Sequence, residues 1–323
     1  MLMLAGLMGL MAVSGIAFIG DVSDEGVDSE ENSDDQSGEN GIETAGDAPN
    51  LILSGDSLAN DLNGQSGDDQ INGYAGNDVI SGADGDDVLH GGQGDDAVAG
   101  SDGDDTLHGE GGADALSGGQ GDDLVFGHND DDTLTGGDGK DEMHGGQGGD
   151  TLNGGNGDDS LHGGLGNDRL QGGDGKDALF GGWGDDWMSG LEDSPTNPGD
   201  PPNASRDFLN GGGGDDMIVA GHSDIVTAGD GADTIILGDW IAEGEAATVM
   251  DFNAEDDRLL MVCDLSENTE PLVEIAADPQ IPGVSHVLVD GVEIASVRSE
   301  GTFTVGDIVL VDHADAHNFG LTG

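Results

Sequence analysis

Aspartate recurs every nine residues through the middle of this chain, at Asp69, Asp78, Asp87, Asp96, Asp105, Asp114, Asp123, Asp132, Asp141, Asp150, Asp159, Asp168, Asp177 and Asp186. A carboxylate is a hard anionic oxygen donor, the ligand type that calcium takes at about 2.3–2.6 Å. The bulk composition points the same way, with 69 acidic residues against 6 basic ones and a formal net charge of −63. Nucleic acid binds proteins mainly through Lys and Arg that neutralise its phosphates, so a chain this acidic is predicted to have no nucleic-acid partner. Anionic lipid headgroups repel it for the same reason. Its natural counter-ions are cations. Cys263 is the only cysteine, which rules out an intramolecular disulfide and leaves cross-linking to something else, such as metal.

Low hydrophobicity with high net charge ordinarily means disorder, but a disordered tract has no reason to keep phase. Cut every nine residues from Gly64 to Ser189, the chain yields fourteen blocks without insertion or deletion. Position one is always Gly, and position four is Gly except at Asp130. Position six is always Asp, and position eight is always aliphatic or Met, as in Ile71, Ile80, Leu89 and Val98. Glycine at positions one and four is expected to supply positive φ and to let carbonyls approach an ion closely. Positions seven to nine alternate polar, apolar, polar, the period of a short strand with one side chain inward. Each block therefore reads as a six-residue turn and a three-residue strand. One apolar residue is no core, but stacked repeats make a continuous one.

The blocks resemble the repeats-in-toxin (RTX) nonapeptide G-G-x-G-x-D-x-U-x, seen here as Gly154-Gly155-Asn156-Gly157-Asp158-Asp159-Ser160-Leu161-His162. The resemblance implies an all-β fold, a right-handed parallel β-roll with two blocks per turn and calcium held between blocks i and i+2. It also implies that the fourteen position-six aspartates are ligands together with nearby turn carbonyls. Pairing fourteen blocks this way gives twelve sites. Gly64 to Ser189 carries 29 acids and three bases, a net of −26, so twelve dications would bring it close to neutral. Calcium, on the order of a dozen ions, is thus the expected cofactor, and metal binding and folding are expected as one event.

The pattern loosens beyond Ser189. A proline-rich loop at 190–201 is followed by Asp207 with Leu209, Asp216 with Ile218, Asp224 with Val226 and Asp233 with Ile235. The roll is placed at 55–236, regular over 64–189 and looser over 202–236, with Asp207, Asp216 and Asp233 as further metal ligands. Asn60 and Leu62 mark a degenerate opening block. From residue 237 to 323 a small β domain is expected to cap the roll, with Asp290-Gly291 as a type I′ hairpin turn. The segment from Val249 to Leu260 resembles the closing part of RTX rolls, which implies a C-terminal signal read by a type I secretion apparatus. Residues 1–20 carry no charge and are long enough, about 30 Å as a helix, to cross a bilayer. They read as a membrane anchor, a cleaved signal or a buried segment. Residues 21–54 read as an acidic disordered linker.

With two blocks per turn, position nine of the odd blocks forms one outward column: Asn72, His90, His108, Phe126, His144, His162 and Phe180. It is either a ligand ladder, with His90/His108 and His144/His162 as transition-metal pairs, or freely varying surface. The chain contains neither H-E-x-x-H nor G-x-S-x-G, and scattered Asp and His are accounted for by repeat positions. The reading is a secreted or surface-exposed, non-enzymatic calcium-binding protein with a structural or adhesive role. The alternative is a calcium-dependent polysaccharide-binding module that assists an extracellular carbohydrate-active enzyme.

Overall fold

One inward apolar residue per block can be buried only if the chain coils back on itself, and it does so every two blocks. Ile71 lies in register with Leu89, and Ile80 with Val98. The computed structural model describes residues 50–191, 205–238, 240, 241, 244–263, 265 and 271–316. The expectations for residues 1–20, for most of the linker and for most of the proline-rich loop lie outside these. Strands alternate between two sheets of fourteen and twelve strands, parallel throughout the roll and antiparallel only among the last three strands of the first. Gln70–Ala75, Val88–Gln93 and Thr106–Gly111 enter the first, and Val79–Asp84, Ala97–Asp102 and Ala115–Gln120 the second. The all-β parallel roll is therefore the observed architecture. Its core is a narrow seam of position-eight side chains, from Ile71 to Met188, each at most 2% exposed.

Two local expectations are corrected. The strands run six residues rather than three, because pairing continues past the apolar residue: Tyr74 still faces Gly92, and Ala75 faces Gln93. Turns shrink to positions four to six, and even there the Gly67 N–H donates to the Asp84 carbonyl at 2.7 Å. Positive φ falls at positions two and four, as at Gly92 (115°) and Gly94 (126°), and not at position one. The chain must bend both before and after position three to turn the corner between sheets. Position one needs glycine for a different reason, described below.

Stacking tolerates interruptions of the repeat. Ala178–Trp183 pairs with Phe208–Gly213, and Trp187 with Met217, so strands thirty residues apart pair as others do at eighteen. The register is intact on both sides of the insertion. At the start, Ile52–Ser54 already pairs with Gln70–Ala75, ahead of the degenerate block at Gly55.

The C-terminal region is continuous with the roll. Ala247–Asn253 and Val292–Glu300 extend the first sheet in parallel, while Arg258–Cys263 and Ile308–Asp312 extend the second. Val284–Val289 and Val292–Glu300 form the expected hairpin, with Asp290 and Gly291 both at positive φ (51° and 84°) as a type I′ turn requires. Phe252 is fully buried and meets Phe303 edge to face at 5.2 Å, closing the seam. Among the described residues no helix is long and apolar enough to cross a membrane.

Because the seam is one residue wide on each side, its members have few substitutes. Leu134→Ala is expected to cost about 2–5 kcal/mol, read as a lower thermal midpoint in saturating calcium. Val79→Ala, at a position 55% exposed, should leave the midpoint within a degree or so. A Leu134 variant as stable as the parent would show that the seam does not hold the roll.

Candidate metal centre

Position eight of each strand points into the seam, and the residue two before it, position six, is drawn in with it. All fourteen position-six aspartates are between 1% and 3% exposed. Each places one carboxylate oxygen, Oδ1, on the backbone of the preceding turn. Asp105 N–H donates to Asp123 Oδ1 at 2.8 Å, and Asp123 N–H donates to Asp141 Oδ1 at 2.9 Å. The result is two files of carboxylates, one beside each sheet, linked at steps of eighteen residues. The files pass the proline-rich loop unbroken: Asp177 N–H donates to Asp207 and Asp186 N–H to Asp216.

The other oxygen has no such partner. Oδ2 is buried and accepts no hydrogen bond at all fourteen regular positions, nor at Asp216 and Asp233. A buried, unpartnered carboxylate oxygen is expensive, and here the expense is repeated at every block. Position-one glycine explains where these oxygens point. A Cβ added to Gly64 would collide with Asp69 Oδ2 and with the Gly82 carbonyl oxygen, and one added to Gly136 with Asp141 Oδ2 and the Gly154 carbonyl. A carboxylate oxygen and a main-chain carbonyl thus crowd one point with no donor between them. Among the described residues no three His, Cys, Asp or Glu side chains converge as a metal cluster, so a cation here must draw on backbone oxygens. That donor set, hard and all-oxygen, fits calcium, which collects six to eight such ligands. The residues that would hold it are the position-six aspartate and the position-one carbonyl of the block above.

The same burial perturbs the acids. Desolvation, with a lesser push from neighbouring carboxylates, raises Asp105, Asp123 and Asp132 to about 7, against the opposing backbone hydrogen bond. Asp177 rises to about 8, Asp186 and Asp216 to about 7, and Asp114, Asp150, Asp159 and Asp233 to about 6. A proton relieves the buried charge, and so does a dication.

The files end where backbone donors close them. Asp224 takes the Asp207 N–H on Oδ1 and the Gly221 N–H on Oδ2 at 2.6 Å. Asp257 takes those of Asp233 and Asn253. Asp257 was missed in the sequence, although Leu259 two residues later repeats the spacing of positions six and eight. At the other end Asn60 substitutes for aspartate, its Oδ1 accepting the Asp56 N–H at 2.8 Å.

A family model described as the RTX calcium-binding nonapeptide repeat matches residues 54–89, 90–125, 117–152, 153–188, 203–221 and 220–239, together more than half of the chain. No curated protein matches the sequence.

Two expectations follow. Carboxyls whose folded pKa lies above the unfolded value stabilise the fold below the unfolded pKa, and that contribution fades as pH rises through the folded pKa. In chelator, β-structure should therefore increase as pH falls from about 8 to about 4. Protons compete with calcium, so the calcium midpoint measured by circular dichroism should fall as pH rises over the same range. A midpoint that ignores pH would remove the carboxylates from the metal site. Separately, Gly136→Ala should raise the calcium midpoint several-fold. Gly111→Ala should not, since its Cβ would crowd the movable Gln93 side chain at 3.0 Å and meet the Gly92 carbonyl only at an ordinary 3.9 Å.

Proposed function

The chain belongs to the RTX calcium-binding nonapeptide repeat family, and from that premise we propose that it is an exported or cell-surface protein that folds on calcium and acts as a structural or adhesive element, without catalysing a reaction. One observation carries the reading: sixteen buried Oδ2 atoms, at the fourteen regular aspartates, Asp216 and Asp233, have no hydrogen-bond donor. A roll whose turns leave one anionic oxygen per block unanswered needs a cation per step, and its narrow core cannot compensate for the lack of one.

On this reading the ligands are the aspartates from Asp69 to Asp186 at nine-residue steps, with Asp207, Asp216 and Asp233, and the ions number on the order of a dozen. Calcium loading cancels most of the roll's charge, so a chain extended by self-repulsion becomes a stiff, near-neutral rod. That conversion suits a protein that must cross a secretion apparatus unfolded and become rigid where calcium is abundant. The region from residue 237 is assigned as cap and export signal, a reading supported by strands that continue both sheets and end in a hairpin.

Far-UV circular dichroism should show a largely disordered chain in chelator at neutral pH and a β spectrum once calcium is added, with midpoints of about 10⁻⁴–10⁻³ M or tighter through cooperativity. Magnesium should substitute poorly, because it demands octahedral geometry. Asp123→Ala, in the middle of a file, should raise the midpoint more than Asp69→Ala near its start, since an interior block has neighbours on both sides. A full β spectrum in chelator at neutral pH would falsify calcium-driven folding.

A further inference from the structure

The outer face of the first sheet carries chemistry that the calcium turns do not use. Position-nine rings from His90 to Phe180 lie face to face along the roll. His90 and His108 are 4.6 Å apart at 11°, His108 and Phe126 4.9 Å at 5°, and His144 and His162 4.8 Å at 8°. Stacking in this manner excludes the pairs expected from the sequence. A metal lies in the plane of each imidazole that binds it, and two parallel planes a ring thickness apart cannot share one ion.

His108 and His128 have planes 24° apart and centroids 5.3 Å apart, but they meet nitrogen to nitrogen and not face to face. His128 occupies position two of its block, beside the column, and its Nε2 lies 3.0 Å from His108 Nδ1. Two imidazole nitrogens each about 2.0–2.1 Å from one ion stand about 3 Å apart. Glu110 is the register neighbour of His128, and its Oε1 lies 3.1 Å from His90 Nδ1. Two polar pairs, His90 with Glu110 and His108 with His128, thus lie side by side on three adjacent strands. Position two has positive φ throughout the roll, and His128 at φ 82° and Glu110 at φ 81° are among the six non-glycine residues that stand there in the regular blocks. Side chains at such positions carry a conformational cost.

We propose that His108 and His128 chelate a divalent transition-metal ion such as copper, nickel or zinc on the outer face of the roll, with Glu110 as the adjacent carboxylate. Imidazole suits these ions, whereas calcium takes oxygen, so the two kinds of site do not compete. The net charge of −63 draws cations to the surface. Metal is held here by the strands, not the turns, and the site requires only that the roll be folded.

The test uses the full chain in saturating calcium, titrated with copper(II) and followed by calorimetry and electron paramagnetic resonance. One equivalent should bind with hyperfine coupling to two imidazole nitrogens. His108→Gln and His128→Gln should each weaken that equivalent at least tenfold and abolish the two-nitrogen signature, while His144→Gln and His162→Gln should change neither. Calcium-induced circular dichroism of each variant checks that the roll still forms. Independently of any variant, zinc should shift the imidazole ¹⁵N resonances of His108 and His128 together in the parent. Oxygen-only coordination, variants that bind copper like the parent, or zinc-induced shifts centred on His144, His162 or His286 would each overturn the proposal.

Discussion

Each of the fourteen regular blocks, and those of Asp216 and Asp233, buries one carboxylate oxygen that no hydrogen-bond donor reaches, and most of the structure is arranged around that oxygen. Desolvating an ionised carboxylate is unfavourable, and the penalty recurs along two files of like charges. Only a proton or a cation relieves it. The apolar seam offers little to offset it, since each turn contributes two inward side chains, such as Leu134 and Met143. Whatever neutralises the files favours the folded roll, and an all-oxygen donor set in a chain of calcium-binding repeats fits calcium in that role.

The backbone follows from the same constraint. Position-one glycine leaves room for the aspartate Oδ2 and a stacked carbonyl, and any side chain there would occupy the place where the oxygens converge. Positions two and four carry the bends. Where position four is not glycine, at Asp130, the backbone still adopts φ 71°, a conformation that aspartate tolerates better than most residues because its short side chain can bond locally. The Oδ1 file makes the stacking robust, because each carboxylate ties its turn to the one before it. It holds across the inserted loop at a separation of thirty residues and across the shortened blocks at seventeen.

With turns so nearly identical, individuality is left to the outward positions. One sheet carries the imidazole and phenyl stack. The other carries small polar residues at position nine, such as Ser81 and Ser117, and the Arg169 guanidinium 3.5 Å above the Trp187 ring at position seven. The roll is thus a uniform scaffold with two unlike faces, and any recognition specific to this chain must be written on them.

The one-dimensional pattern alone determined the repeat length, the inward residue and the recurring acid, because a solenoid maps each position onto a fixed place in every turn, while the alternation of blocks between two faces was implied by the resemblance to RTX repeats. The Asp290-Gly291 hairpin was equally readable, since its turn chemistry is local. What the sequence left open depended on contacts between turns. Strand length was set by hydrogen bonds from Tyr74 and Ala75 to residues eighteen positions away, which no single block reveals. The roles of the glycines were divided by crowding from Asp69 Oδ2 and the Gly82 carbonyl, not by propensity. Asp257 joined the file because its strand continues the second sheet after the repeat has faded. His128 met His108 only because adjacent strands place positions nine and two on one diagonal. Repetition made the scaffold predictable from residues alone, while everything diagonal to the repeat was decided by how the turns stack.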